Sequence, residues 1–559
     1  VVPVSVKPEV IDQEMRAVID NYRKTGVPDE LVAAAKQREI SQLAFSGNSI
    51  EDSAFDWSQA VAVQGLSSPD DMEAAFNRVT TADVNRVLRT YVNNNTAIAA
   101  YAVPKNAGAA TSGGGGPGKE NNMVPPKTHE PLPSWAQDIL ENLKVPAKTL
   151  DPTSMTLANG IHLIVQPESI TPTVVVSGSI DNDPFVQEPV DRRGVNDMTV
   201  ALFPFGTTTY NRVEYQAELD KISATVSAGT DFSLSVLSKD FDRGVQLLAD
   251  QELHPAFNPQ AFAIVKQQAV GQIEGEVTSP DYLASVALND ALYPEGDPYR
   301  NFPTVKTTNA ITLDDVKAWY AAAYRPDLTT IVVIGDITPD AARASIEKYF
   351  GGWAATGPKP QTQPPAVALN TSSQVVVPAQ GRVQSSVQLV QLNDVRRGDP
   401  DWAPLQLANT ALTGGFYSSI LYHDLREVHG YAYSVQSALR AGKIRSTFSI
   451  NYACDPQNIV PAERAAIADM ERVQSTPLSD NDLLRAKALL LGEVPIQQAS
   501  YDGVTSLFLH YAGMDLPLDQ YQTDAQNYLN ATAPQVQAAF AKWIRPNDFV
   551  RIVTGPGPK

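Results

Sequence analysis

The side chains that most often carry reactions are sparse in this chain. Six histidines occur, His129, His162, His254, His423, His429 and His510, and no two stand four residues apart. A zinc peptidase helix, H-E-x-x-H or its inverse H-x-x-E-H, sets two imidazoles and a carboxylate on one helical face, and neither pattern is present. His423 and His429, the closest pair, are six apart, a spacing that does not put both on one face. They read as surface or supporting residues. Cys454 is the single cysteine, which excludes an internal disulfide and a cysteine-based zinc site, and a lone thiol reads as inert. There is no G-x-S-x-G elbow. The run Gly113–Gly118 lacks the Lys-Ser/Thr pair and the strand–helix setting of a phosphate loop.

Composition narrows the partners. The 559 residues (60.3 kDa) exceed the roughly 100–200 residues of one domain, so several domains are expected. With 43% apolar and 19% charged residues the chain can bury ordinary cores, which excludes general disorder. A formal charge of −19 repels a phosphate backbone, so no nucleic-acid partner is expected. No apolar run approaches the roughly 20 residues of a membrane span, and the mean hydropathy is −0.20. The opening Val1-Val2-Pro3-Val4 shows no basic targeting segment, and the chain is expected to start downstream of where its gene product starts.

One element recurs three times: a helical stretch rich in Ala and Val, an aromatic residue, a polar turn, then a β-branched strand. The copies run from Thr81 through Tyr91 to a strand at Thr96–Val103, from Thr312 through Tyr324 and Arg325-Pro326-Asp327 to Thr330–Ile334, and from Thr532 through Trp543 and Arg545-Pro546-Asn547 to Phe549–Val553. The anchor valines Val84, Val316 and Val536 lie 232 and 220 residues apart, a domain-sized period. Three units of one fold follow. The second opens at Met155 and the third near Gln374, whereas the first has only about half the residues ahead of its valine. Another polypeptide, or an upstream fragment, is expected to complete that first unit, since half a unit leaves backbone and core unpaired.

These landmarks divide the chain into residues 1–104, a Gly/Pro-rich linker at 105–154, and domains at 155–366 and 367–559. Within the second unit, Ile161–Val165 and Thr173–Ser177 read as strands, Ser223–Leu237 as two more, and Phe241–Leu253 and Asn258–Glu276 as helices. Blocks of each type without strict alternation predict an α+β fold, with helices packed on one face of a mixed sheet.

Several blocks together carry a family resemblance. Leu412-Thr413-Gly414-Gly415-Phe416-Tyr417-Ser418-Ser419, then Leu425-Arg426-Glu427-Val428-His429-Gly430-Tyr431-Ala432-Tyr433-Ser434-Val435, resembles the signature of pitrilysin/insulinase-type (inverzincin) zinc metallopeptidases. So do Trp319-Tyr320, Tyr324-Arg325-Pro326-Asp327, Val332-Val333-Ile334-Gly335-Asp336-Ile337 and Tyr349-Phe350-Gly351-Gly352-Trp353. The resemblance implies four homologous α/β-roll domains in two halves that close like a clamshell around a chamber. Zinc would sit in the first domain on H-x-x-E-H and a distal Glu. Residues 1–104 then correspond to the end of the second domain, 155–366 to the third and 367–559 to the fourth.

The third domain departs from the zinc pattern. After Gly194-Val195-Asn196, the residues Asp197, Val200 and Ala201 stand where His, Glu and His would, and Val and Ala offer no donor atom. Glu274 and Glu276, in the distal-ligand region, read as solvated helix residues. No metal ligand is therefore expected in this chain; the resemblance implies that the zinc cofactor sits in a partner polypeptide. What the resemblance implies here is a substrate clamp, an Arg and a Tyr seven residues apart in the fourth domain, matched by Arg426 and Tyr433. Hydrolysis at zinc builds negative charge on a carbonyl oxygen, where a guanidinium can hold peptide carbonyls and a phenol can donate. The alternative is that Arg426 pairs with Glu427 or Asp424 while Tyr433 packs in the core. Gly414 and Gly415 are read as a tight substrate-side turn against the chamber wall.

Two functions compete. In the first, the chain is the zinc-free part of a two-part endopeptidase, heterodimeric with an H-x-x-E-H companion and acting on peptides. In the second it is an inactive structural or peptide-binding subunit. A periplasmic location is expected for the first, with the cytoplasm as the alternative, since one cysteine suits either compartment.

Overall fold

The computed structural model describes residues 7–94, 96–101, 140, 142–415 and 418–558. Its second and third units are each built on a mixed sheet. The first sheet holds β1 (Thr153–Thr156), β2 (His162–Pro167), β3 (Thr173–Ile180), β4 (Thr225–Ser227), β5 (Asp231–Leu237) and β6 (Thr329–Gly335), in the spatial order β1-β2-β6-β3-β5-β4. The second holds β7 (Ser373–Val377), β8 (Ser385–Asn393), β9 (Ala432–Arg440), β10 (Ser446–Cys454) and β11 (Val550–Thr554), in the order β7-β11-β8-β10-β9. Apart from the edge strand β1 the two orders are the same. In both, the first and last strands of the set pair in parallel, β2 with β6 and β7 with β11, and the other neighbours are antiparallel. This is an α+β fold, repeated.

The near-continuous apolar runs of β3 (Thr-Val-Val-Val) and β6 (Ile-Val-Val-Ile) reflect burial on both faces. Leu163, Val165, Val174, Val176, Ile331 and Val333 point into the core of their own unit. Ile164, Val175, Val332 and Ile334 point the other way, against Leu491, Val494, Val504 and Phe508 of the third unit. The exchange is mutual. Helix Pro280–Leu292 of the second unit lays Ala284 and Leu292 on Val390, Leu392, Val550 and Ile552 of the other sheet. Each sheet back is thus covered by a helix of its neighbour, Tyr501–Gly513 on the first sheet and Pro280–Leu292 on the second. Arg445 fastens this junction, forking onto Asp297 from the third unit to the second, with its guanidinium 4.8 Å from the Tyr293 ring and 5.1 Å from that of Tyr299.

The recurring helix is eleven residues long in all three units, Thr81–Tyr91, Leu313–Ala323 and Ala533–Trp543. Each is started by a threonine whose backbone N–H donates to a side chain three residues on, Asp83, Asp315 or Gln535. The Arg-Pro turns that follow are also tied down, Arg325 by a two-pronged bond to Asp327 and Arg545 by Asp548.

The described part of residues 7–101 is helical: Pro8–Thr25, Asp29–Ser46, Ile50–Ser58 continued by a π-helical turn Gln59–Val63, Pro69–Arg78 and Thr81–Tyr91. The strand expected at Thr96–Val103 is not formed over its described residues 96–101, and 102–103 lie outside the described residues. The β-branched pattern alone cannot make a strand without a neighbour to take its backbone hydrogen bonds. This segment meets the rest of the chain near Asn48, whose Oδ1 accepts from the hydroxyls of Thr171 and Thr173, and at a short antiparallel bridge between Ser49 and Ser500. The linker expected at 105–154 falls largely outside the described residues.

Candidate functional site

Arg426 and Tyr433 are brought together at one end of the second sheet. Arg426 belongs to a π-helical turn, His423–Val428, that prolongs the short helix Ile420–Tyr422. The turn closes at Gly430, whose φ of 62° is a left-handed conformation that suits glycine and reverses the chain into β9. Tyr433 lies in β9 at a break in the ladder. Ser434 pairs with Ala453, and the next partner of β10, Cys454, pairs with Ala432, so Tyr433 is the extra residue of a β-bulge. The bulge keeps Ala432 and Val435 both inside while the Tyr433 ring faces outward, 45% exposed. Both candidate residues therefore sit on one-residue insertions in otherwise regular elements. Such irregularities lower local stability and recur where a side chain must be aimed.

The contacts are specific. The Arg426 guanidinium carbon lies 4.5 Å from the Tyr433 ring centroid, and Nη1 donates to the Tyr433 backbone carbonyl at 2.5 Å and to the Tyr422 hydroxyl at 3.0 Å. The neighbouring carboxylates have partners of their own: the Glu427 Oε2 lies 2.6 Å from His423 Nδ1, and the Asp424 Oδ1 lies 3.5 Å from His429 Nε2. His429 in turn stacks on Tyr431, their rings 4.9 Å apart. The arrangement offers a permanently charged planar donor held against an aromatic face, beside a half-exposed phenol. That pairing can grip a peptide carbonyl and donate to a developing oxyanion. Tyr433 is not in the core, and a further residue that holds Arg426, Tyr422, was not singled out in the sequence. Its position four residues ahead of Arg426 on one helical face is the signal that could have found it.

Gly414 and Gly415 close the helix Trp402–Thr413. A Cβ on Gly414 would stand 2.8 Å from Thr410 Cγ2, and one on Gly415 would stand 2.8 Å from Ser418 Oγ. Close approach, rather than an unusual φ, is what calls for glycine there. Phe416 and Tyr417 of the same motif lie outside the described residues.

In the second unit, Asp197 lies in the helix Val195–Val200. Desolvation raises its carboxyl above the ordinary range and the charge of nearby Glu276 adds to the effect. With Val200 and Ala201 beside it, the set of donor atoms does not fit a zinc ion. Among the described residues no group of three or more His, Cys, Asp or Glu is arranged to hold a metal. Nor is any helix among them long and apolar enough to cross a membrane.

Known proteins resemble this chain along much of its length. Residues 310–490 match the family model described as the peptidase M16 inactive domain. An uncharacterized zinc protease of Mycobacterium tuberculosis is 24% identical over 358 residues, covering 62% of this chain and 80% of that protein. A Helicobacter pylori protein named a non-peptidase homolog is 24% identical over 360 residues, covering 62% of this chain and 79% of its own length. The crystal structure of a peptidase M16 inactive domain from Pseudomonas fluorescens superposes with a TM-score of 0.64 at 23% identity, over 73% of this chain and all of that one. The periplasmic protease PqqL of Escherichia coli gives a TM-score of 0.64 at 15% identity, over 98% of this chain and 63% of its own. The repeated α+β units thus share the fold of M16-like peptidase domains. Residues 310–490 carry the peptidase M16 inactive domain, and the chain around them is similar to M16 proteins, the pitrilysin/insulinase type its motifs resembled.

Proposed function

We propose that this chain is the zinc-free portion of a two-part metalloendopeptidase that hydrolyses peptides in an enclosed chamber. The observation that carries the reading is the Arg426–Tyr433 pair, presented at a surface by a π turn and a β-bulge. The catalytic zinc and its H-x-x-E-H ligands reside in a companion polypeptide, where the metal would activate water and polarise the scissile carbonyl. This chain's part is to hold peptide backbone through Arg426, to donate from the Tyr433 hydroxyl, and to shape the adjoining wall with Gly414 and Gly415.

The first-unit helix supports a companion. Its cognates bury Val316, Trp319 and Ala323, or Val536, Ala539 and Phe540, in the cores of their own units. Helix Thr81–Tyr91 has no fully buried residue and leaves Val87 and Tyr91 exposed. The same amphipathic pattern without such a core among the described residues fits a surface that another polypeptide, or an upstream fragment of this one, completes, and the likeness to PqqL favours the periplasm as its place.

A second reading, an inactive structural or peptide-binding subunit, is favoured by the relative named a non-peptidase homolog. Denaturing mass spectrometry of the native particle separates the two. A companion bearing H-x-x-E-H is expected; its absence, with the chain purified alone, would leave only the second reading.

A further inference from the structure

Two histidines that the clamp does not itself use flank the turn that delivers Arg426. His423 opens the π-helical turn His423–Val428, and His429 caps its end. Each meets a carboxylate of that turn, His423 Nδ1 with Glu427 Oε2 at 2.6 Å and His429 Nε2 with Asp424 Oδ1 at 3.5 Å. The two pairs overlap along the chain, and Arg426 lies inside both.

Neighbours on an α-helical face are three or four residues apart, whereas hydrogen bonds in a π helix join residues five apart. Asp424 and His429 have the π spacing, and the His429 backbone N–H also donates to the Asp424 carbonyl at 3.1 Å. Backbone and side chains therefore close the same wide turn. On an ordinary α-helix the two side chains would part, so their attraction favours the extra residue that aims Arg426 at Tyr433. The His429 ring stacks on Tyr431, a face that favours a charged imidazole. Both histidines are about half-exposed and exchange protons with solvent.

Other elements add few charges. From the helix Ile459–Ser475, Asp469 lies in the field of His423 and Asp424, and Arg472 donates to it at 2.6 Å. The short helix Ile420–Tyr422 brings the phenol of Tyr422 and β9 that of Tyr433, while Trp402–Thr413 has no ionisable side chain. An imidazolium at 423 thus has a carboxylate on its own turn and another on the packed helix.

We infer that His423 and His429 are positioning residues for the clamp: as imidazolium ions paired with Glu427 and Asp424 they hold the π register that places Arg426 over Tyr433, and as neutral rings they release it. This rests on the two-part reading and adds to it a dependence on pH. Carboxylates ordinarily ionise near pH 4 and imidazoles lose their charge between about pH 5 and 8, so both pairs are fully charged only on the acidic side of neutrality. The grip on peptide is then strongest there and weakens as pH rises.

The test compares kcat/KM of the parent chain and of His423→Gln with His429→Gln, each in complex with the H-x-x-E-H companion, from about pH 5.5 to 8.5. The probe is a quenched fluorescent peptide with capped ends and no ionisable side chain. Titration of the companion's zinc site cancels in the ratio of parent to variant. The glutamine amides imitate neutral imidazoles, so the ratio should be about three- to tenfold at the acidic end and fall to one at the alkaline end. His423→Lys with His429→Lys keeps the charge and should exceed the parent at the alkaline end by a similar factor. In an Arg426→Ala background the glutamines should change nothing, since nothing is left to position. A ratio that does not vary with pH, or one that persists without Arg426, would overturn the inference and leave the two-part reading intact. Parental turnover by Arg426→Ala alone would remove the clamp and the inference together.

Discussion

The Arg426 guanidinium lies over the Tyr433 ring, its carbon 4.5 Å from the centroid, and at the same time donates to the backbone carbonyl of that tyrosine. One residue is delivered by a π turn and the other by a β-bulge, so a change in either insertion should move the pair before it moves the fold.

Gly430 is the hinge of that arrangement, since its φ of 62° lets the chain turn from the π turn into β9. Gly430→Ala should cost about 1 kcal/mol of stability, while Gly430→Asn, which tolerates the left-handed region better, should cost less. Thermal unfolding of the two variants checks the order, and an equal loss in both would argue against backbone strain as the cause.

The junction between the second and third units depends on Arg445 and Asp297, both nearly inaccessible to solvent. Arg445→Ala strands a buried carboxylate and should destabilise by about 3–5 kcal/mol. Arg445→Met with Asp297→Leu removes both charges and should recover much of that loss in denaturant titrations. Should the single and double variants lose stability equally, the ion pair would not be what the junction depends on.

Glu252 is fully buried in the second unit, where its Oε2 accepts the Gly229 N–H at 3.0 Å. Burial pushes its carboxyl up to about 8, from an ordinary value of 4.5. The folded state therefore holds a proton that the unfolded state releases between those values. Stability from this group is complete below pH 4.5 and is lost as pH rises toward about 8. Glu252→Gln should flatten the fall of the melting temperature over that window and exceed the parent chain on its alkaline side. An unchanged pH profile would mean that Glu252 is already ionised when folded.

The repeat, the helices Phe241–Leu253 and Pro259–Glu276, and the strands around Pro167 were legible because each carries its own local signal: a period, a capping residue, a β-branched run. The exchange of helices was not legible. Ala284 and Leu292 are apolar whichever sheet they cover, and only the long-range contact tells β11 from the strands of their own unit. Arg426 and Tyr433 could be picked out by spacing and motif, but the bulge that aims Tyr433 depends on the register of β9 against β10, which no single strand encodes. The strand expected at Thr96–Val103 is not formed over its described residues 96–101 for the same reason in reverse: its residues favour a strand, and a strand is a property of a pair.

The most direct test of the clamp is peptide turnover by the complex carrying Arg426→Ala, measured together with its zinc content. The account predicts a fall in kcat of about 10²–10³, the usual effect of losing one oxyanion-stabilising donor, with zinc retained in full. Arg426→Lys should recover only part of it, because an ammonium lacks the planar fork. Undiminished turnover in the alanine variant, with zinc still bound, would contradict the account and leave Arg426 a structural tie between the π turn and β9.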